Sequence, residues 1–209
     1  MSYQAARFFN QMGFIYISIP KTATNSIWNS ILPNTSFRPF QHAKGIHIKK
    51  FFTDEQWNSL FKFSCIRNPF DLVRSWYLYH KTHPDLSEEV RDFYSMSFDD
   101  WVHKHDFKTH WEKKSHCVLN PLWDGTNPLF QKQWLVDQSG KMLVDELMRF
   151  EKLSEGLQIL SKNISLYKNL EKLNSSAGSK SIKISSATQN IIYEKFNEDF
   201  SFFGFRREL

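Results

Sequence analysis

Two short apolar runs mark the first half of the chain, and each passes into a segment with helical spacing. Phe14 to Ile19 is rich in β-branched and aromatic residues and is stopped by Pro20. That pattern predicts a strand buried on both faces, as in the centre of a parallel sheet. Beyond it, Ile27 and Ile31 lie four apart with Trp28 beside them, one apolar face of a helix. The second run, Phe61 to Ile66, alternates with Lys62 and Ser64 and gives way to Arg67-Asn68-Pro69. Pro69 suits a first helical turn, where its missing N–H would have been unpaired in any case. Phe70, Val73 and Tyr77 then share a face and predict a helix through about residue 81. Near the end, Ile191, Ile192 and Phe196 place a helix over 187–200, expected to pack onto the sheet. Two strand–turn–helix units predict an α/β fold with a central, mainly parallel sheet flanked by helices.

The rest of the chain is less regular. Residues 80–128 are polar, rich in His and Trp, and broken at Pro84, Pro121 and Pro128. Insertions of this kind often form the substrate side of a site, because function rides on loops over a rigid scaffold. Residues 174–186 hold six serines with Gly178 and lysines, and read as a mobile loop. No internal repeat is present, and 209 residues are most simply a single domain, 1–209.

Both strand-to-helix turns carry groups suited to anions. In α/β folds such turns lie at the carboxyl edge of the sheet, where ligands bind. A helix start there offers unpaired N–H groups and the positive end of a dipole. At the first turn Lys21 adds a full charge, and Thr22, Thr24, Asn25 and Ser26 add neutral donors. A plain helix start, capped by Thr or Asn with Lys21 in solvent, fits the same letters. The Gly-x4-Gly-Lys-Ser/Thr loop of common ATPases and GTPases is absent. At the second turn Arg67 and Ser75 could meet one phosphate from two sides, since a guanidinium binds anion oxygens in pairs. The alternatives are an Arg67–Asp71 ion pair and a Ser75 that only packs.

These residues resemble the cofactor motifs of the PAPS-dependent sulfotransferases, in particular the carbohydrate branch with its Golgi enzymes and soluble bacterial relatives. Pro20-Lys21-Thr22-Ala23-Thr24-Asn25-Ser26 is similar to the family's 5′-phosphosulfate loop, departing from the usual threonine at Asn25 and the commonest glycine at Thr24. Arg67-Asn68-Pro69 with Ser75 resembles its 3′-phosphate motif. Further likenesses follow in family order. They are Gln41-His42-Ala43, Phe130 to Asp137 with Gly140 to Asp145, Arg149 to Leu153, the Leu173-Asn174-Ser175 loop, and Asp199 to Phe205. Lys172 stands where a histidine is usual in the fourth of these.

The resemblance implies a three-layer, P-loop-like α/β domain, and an enzyme that moves a sulfuryl group from PAPS to an acceptor hydroxyl, most simply on a glycan, by in-line displacement that leaves PAP and needs no metal. It implies a cofactor site of Lys21, Thr22, Ala23, Thr24, Asn25, Ser26, Arg67 and Ser75, with Lys172, Asn174 and Lys180 from the late loop. Lys183 is a further phosphate candidate there. Lys21 is the expected cation for the leaving oxygen. His42 is the leading base, ahead of His47 and Glu55, since histidine titrates near neutral pH. A PAP-binding module without activity and an ATP-dependent kinase are the alternatives.

Composition narrows the classes. The net charge of +5 suits a polyanionic donor but would also suit nucleic acid. The basic residues are scattered, and no zinc-finger, RRM or helix-turn-helix signature appears, so no nucleic-acid partner is expected. Two cysteines, Cys65 and Cys117, build no disulfide framework, and Cys65 reads as a buried core thiol. His103, His105, His110, His116 and Cys117 lack metal-ligand spacing. Trp101, Trp111 and Trp123 suit either sugar stacking or the core. No run is long enough to span a membrane, and no signal pattern opens the chain. A soluble, cytoplasmic catalytic unit is expected, unless the chain is a trimmed luminal piece of a Golgi enzyme.

Overall fold

The structure is a computed structural model, and it describes residues 2–33, 37–82, 95–105, 107, 129–166 and 182–207. Helix α1 (Ser2–Met12) leads into β1 (Phe14–Ile17), which is followed by α2 (Thr24–Ile31). Short helices α3 (Gly45–Lys49) and α4 (Asp54–Ser59) precede β2 (Phe61–Ile66) and the long α5 (Pro69–Thr82). After α6 (Phe98–Lys104) and α7 (Lys132–Leu135) come β3 (Glu146–Arg149), a 3-10 turn at Phe150–Lys152, and α8 (Leu153–Leu160). Helices α9 (Ser186–Lys195) and α10 (Asn197–Phe203) end the described chain.

The three strands form one parallel sheet in the order β1-β2-β3. Phe14 pairs with Phe61 and Ile17 with Ser64; Phe63 pairs with Glu146 and Ile66 with Arg149. Parallel pairing in this register brings the carboxyl ends of the strands to one edge. Ser18, Arg67 and Phe150, each just beyond its strand, therefore emerge on the same side. This is the expected α/β architecture. In one respect the expectation needs correction: β2, not β1, is the central strand among those described. All four residues of β1 are nonetheless buried, so the strand is covered on both faces.

Two apolar clusters hold the layers together. The first surrounds the sheet and includes Phe9, Ile15, Tyr16, Ile17, Trp28 and Phe63. Tyr16 and Phe63, on neighbouring strands, stack with ring centres 4.9 Å apart. Ile27, Trp28 and Ile31 are fully buried, as the helical spacing predicts. Cys65 is also fully buried, and burial pushes its thiol well above the ordinary range, as an inert core residue. The second cluster joins α5 to α6, α9 and α10 through Phe70, Val73, Trp101, Phe107, Ile192 and Phe200.

This second cluster corrects the reading of the last helix and, for Trp101, decides between the two readings in favour of the core. The 187–200 segment is two helices with a break at Phe196, and Ile192 and Phe196 pack against α5 and α6 rather than the sheet. Trp101 is 0 % exposed and anchors that core, so it offers no sugar platform. His105 is likewise structural: its ring contacts Trp101 and Phe107, and Nδ1 accepts from Phe107 N at 2.8 Å. Trp111, Trp123, His110, His116 and Cys117 lie outside the described residues. Among the described residues no cluster of His, Cys, Asp or Glu could hold a metal, and no helix is long and apolar enough to cross a membrane.

Candidate functional site

The turn after β1 is built from two residues in the left-handed region, Lys21 at φ 66° and Ala23 at φ 68°. Non-glycine residues adopt that conformation at a cost of about 1 kcal/mol or more, and such strain gathers at functional sites. Two threonines hold the turn in place. Thr22 Oγ1 and Thr24 Oγ1 both donate to the Ile19 carbonyl, at 2.8 and 2.9 Å. These hydroxyl protons are committed to the loop itself, which corrects the expectation of two freely offered side-chain donors. What the turn presents instead is its main chain. Ala23 is the N-cap of α2 and its side chain makes no cap hydrogen bond, so neither Thr nor Asn takes the capping position of the plain helix start. A helix cannot bond its first-turn N–H groups internally, and a helix start is for that reason suited to anions. Within that turn Ser26 is buried and Asn25 exposed.

Lys21 is half-buried, and its ammonium lies 4.1 Å from the ring centre of Tyr79 on α5. Burial, helped by the neighbouring positive charge of Arg67, lowers its pKa to about 8.

Arg67 leaves the end of β2 at only 8 % exposure. Its guanidinium donates to the Lys21 carbonyl at 3.2 Å, and its carbon sits 4.0 Å from the Phe150 ring centre. Burial lowers the Arg67 pKa against the opposing pull of Asp71 and Glu151. The expected alternative, an Arg67–Asp71 ion pair, does not form: Asp71 pairs with Arg74 at 3.1 Å. Neither Lys21 nor Arg67 joins an ion pair among the described residues. Among the described residues Arg67 Nε is buried with no hydrogen-bond partner.

The backbone of Arg67 is fixed from afar. Its N–H donates to Gln131 Oε1 at 2.7 Å, and Gln131 Nε2 donates to its carbonyl at 2.8 Å. Gln131 is fully buried at the start of α7. The Asp199 carboxylate of α10 accepts from the N–H groups of Gln131 and Lys132 at 2.7 and 2.9 Å. Burial raises the Asp199 pKa to about 6, although both N–H groups act to lower it. The next turn is fixed by Asn68, whose Oδ1 accepts from Phe70 N at 2.9 Å, while its own N–H donates to Glu151 Oε1 at 2.6 Å. Helix α5 then carries Ser75, 1 % exposed, one turn before Tyr79 and so on the same face.

His42 approaches the same loop from the segment before α3. Its backbone is left-handed, φ 56°, and its N–H donates to Ser18 Oγ at 3.1 Å. Its Nδ1 lies 3.3 Å from the Ser18 carbonyl, which can only accept, so the proton belongs on Nδ1. That leaves the Nε2 lone pair facing the Gln41 amide at 3.3 Å. The other base candidates lie elsewhere: His47 is half-buried on α3, and Glu55 is exposed in the first turn of α4.

The structure thus brings Lys21, the α2 start, Arg67 and His42 to one edge of the sheet. Lys172, Asn174 and Lys180 lie outside the described residues, and Lys183 is exposed. Sequence reasoning missed Tyr79, Phe150 and the Gln131–Asp199 pair as parts of the site. Tyr79 had a local signal, its spacing of four from Ser75; Asp199, 68 residues from Gln131, had none.

A family model described as "Sulfotransferase family" matches residues 5–206, so the chain belongs to the sulfotransferase family. No curated protein and no solved structure gives a match.

Proposed function

We propose that this sulfotransferase takes its sulfuryl group from PAPS and transfers it to a hydroxyl, on a carbohydrate acceptor. The observation that supports the donor most strongly is a pair of cations without ion-pair partners among the described residues. Lys21 and Arg67 stand beside a helix start whose N-cap residue is Ala23. A buried charge without a counter-ion is costly, and an anionic ligand relieves that cost. Two such centres fit a ligand with anionic groups at two positions. The carbohydrate acceptor rests on the likeness of the two cofactor motifs, Pro20 to Ser26 and Arg67 to Ser75, to the carbohydrate branch.

PAPS when bound supplies the sulfuryl group and remains as PAP. The first-turn N–H groups of α2, with Thr22, Ala23, Thr24, Asn25 and Ser26, cradle its 5′ end. Arg67 and Ser75 take the 3′-phosphate, with Phe150 holding the guanidinium plane. Lys21 neutralises the charge that grows on the leaving phosphate oxygen as the S–O bond breaks. His42 Nε2 accepts the hydroxyl proton as the new S–O bond forms, exchanging the Gln41 amide for the acceptor. Holding both partners in line supplies most of the acceleration, as in phosphoryl transfer.

Calorimetric titration with PAP, beside ADP and ATP–Mg²⁺, tests the donor. Tight PAP binding with weak ADP binding is expected, because only PAP carries the 3′-phosphate. Preference for ATP–Mg²⁺ would overturn the proposal. PAP binding without transfer to any hydroxyl in a glycan screen with PAPS would leave a nucleotide-binding module.

A further inference from the structure

Lys21 raises a physical question that the donor reading leaves open. A half-buried ammonium with no carboxylate partner should either lose its proton or swing into solvent. Among the described residues, what meets it is the Tyr79 ring, 4.1 Å from the nitrogen to the ring centre. The negative face of an aromatic ring attracts a cation, and does so more strongly where water is excluded. Tyr79 is well placed for this. It lies one turn beyond the buried Ser75 on α5, and α5 starts from the same β2 end that carries Arg67.

We propose that Tyr79 is the positioning residue for Lys21: the face of its ring holds the ammonium charged and aimed at the α2 start before the donor arrives. This rests on the reading of Lys21 as the donor-facing cation. Among the described residues the other charge that acts on Lys21 is Arg67, which disfavours a second cation, and His42 meets the same loop through Ser18. The ring is the feature that favours the cation against burial and Arg67 together. The ring face rather than the hydroxyl attracts the cation, so a phenyl face should serve as well.

The test follows the Lys21 amine directly rather than turnover. Lysines of the full-length protein are reductively ¹³C-methylated, and the resonance lost in Lys21→Arg is assigned to Lys21. Its titration is then read in wild type, Tyr79→Phe and Tyr79→Leu. Leucine keeps the apolar bulk and removes the π face. The expected result is an unchanged midpoint in Tyr79→Phe and a midpoint lowered by about 0.5–1.5 pH units in Tyr79→Leu. A fluorinated phenylalanine at position 79 weakens the face without changing its shape, and should give a smaller downward shift even if the leucine variant fails to fold. An unmoved midpoint in the fluorinated variant, or in a folded Tyr79→Leu, overturns the proposal, as does an equal shift in Tyr79→Phe. Adding PAP to wild type separates this inference from the donor reading. A Lys21 resonance that ignores PAP refutes the donor role of Lys21 whatever the Tyr79 variants show.

Discussion

The Arg67 guanidinium donates to the main-chain carbonyl of Lys21 at 3.2 Å, which ties the end of β2 to the turn that follows β1. One bond thus links the two candidate anion grips, and a change at either should be felt at the other. Arg67→Ala should weaken PAP by about ten- to a hundredfold, the worth of a charge-assisted hydrogen bond. An analogue lacking the 3′-phosphate should lose far less. Arg67→Lys should not rescue, because an ammonium cannot reach two oxygens while stacking on Phe150. Calorimetry with both ligands decides this, and equal losses for the two would remove Arg67 from the 3′-phosphate.

The lowered pKa of Lys21, about 8, sets a pH dependence with a definite sign. An anion favours the protonated amine, so PAP affinity should hold below about pH 8 and fall above it, by up to about tenfold per unit. Lys21→Met should flatten that slope. Without ligand the sign reverses: the unfolded chain binds the extra proton between the two pKa values, so stability rises from about pH 8 towards 10.5. Titrations in buffers of different ionisation enthalpy should show proton uptake on PAP binding near pH 8.5.

His42→Ala should leave PAP affinity within about threefold of wild type and lower turnover by about a hundredfold or more. His42→Gln keeps a donor towards Ser18 and should not restore turnover. Single-turnover assays with a reactive hydroxyl acceptor would read this. Retained transfer would move the base elsewhere.

Asp199 acts at a distance. With its folded pKa raised to about 6, the carboxyl is favoured neutral, so its contribution to stability falls as pH rises from about 4 to 6. Asp199→Asn should lose that slope, worth at most roughly 3 kcal/mol. Asp199→Ala leaves the Gln131 and Lys132 N–H groups without their acceptor, at about 1–3 kcal/mol each. It should also weaken PAP, because Gln131 holds the Arg67 backbone. Denaturant melts across pH, paired with PAP titrations, test both effects.

Gly45 opens α3 three residues after His42. A Cβ there would lie 2.7 Å from Ile17 Cδ1 and 3.1 Å from the Trp134 carbonyl. Gly45→Ala should therefore cost about 1–3 kcal/mol through overpacking. A drop in Tm of a few degrees or more is expected; an unchanged Tm would mean that α3 shifts without strain.

The sequence alone determined both strand-to-helix turns, because each rests on a local period: apolar runs at Phe14 and Phe61, then residues spaced for one helical face. The family likeness was legible for the same reason, since Lys21 to Ser26 and Arg67 to Ser75 are contiguous stretches. Only the tertiary structure decided how those letters are used. The threonine hydroxyls of the first turn look like ligand donors in sequence, yet they turn inward to Ile19, because a strained loop must be held by its own hydrogen bonds. Arg67 could have paired with Asp71, but Gln131 and the Asn68–Glu151 contact set its backbone while Asp71 pairs with Arg74. Tyr79 beside Lys21, Phe150 beside Arg67 and Asp199 beneath Gln131 join residues from three strand ends and the last helix. No local pattern carries such pairings, because they depend on the register of the sheet and the packing of helices brought together only on folding.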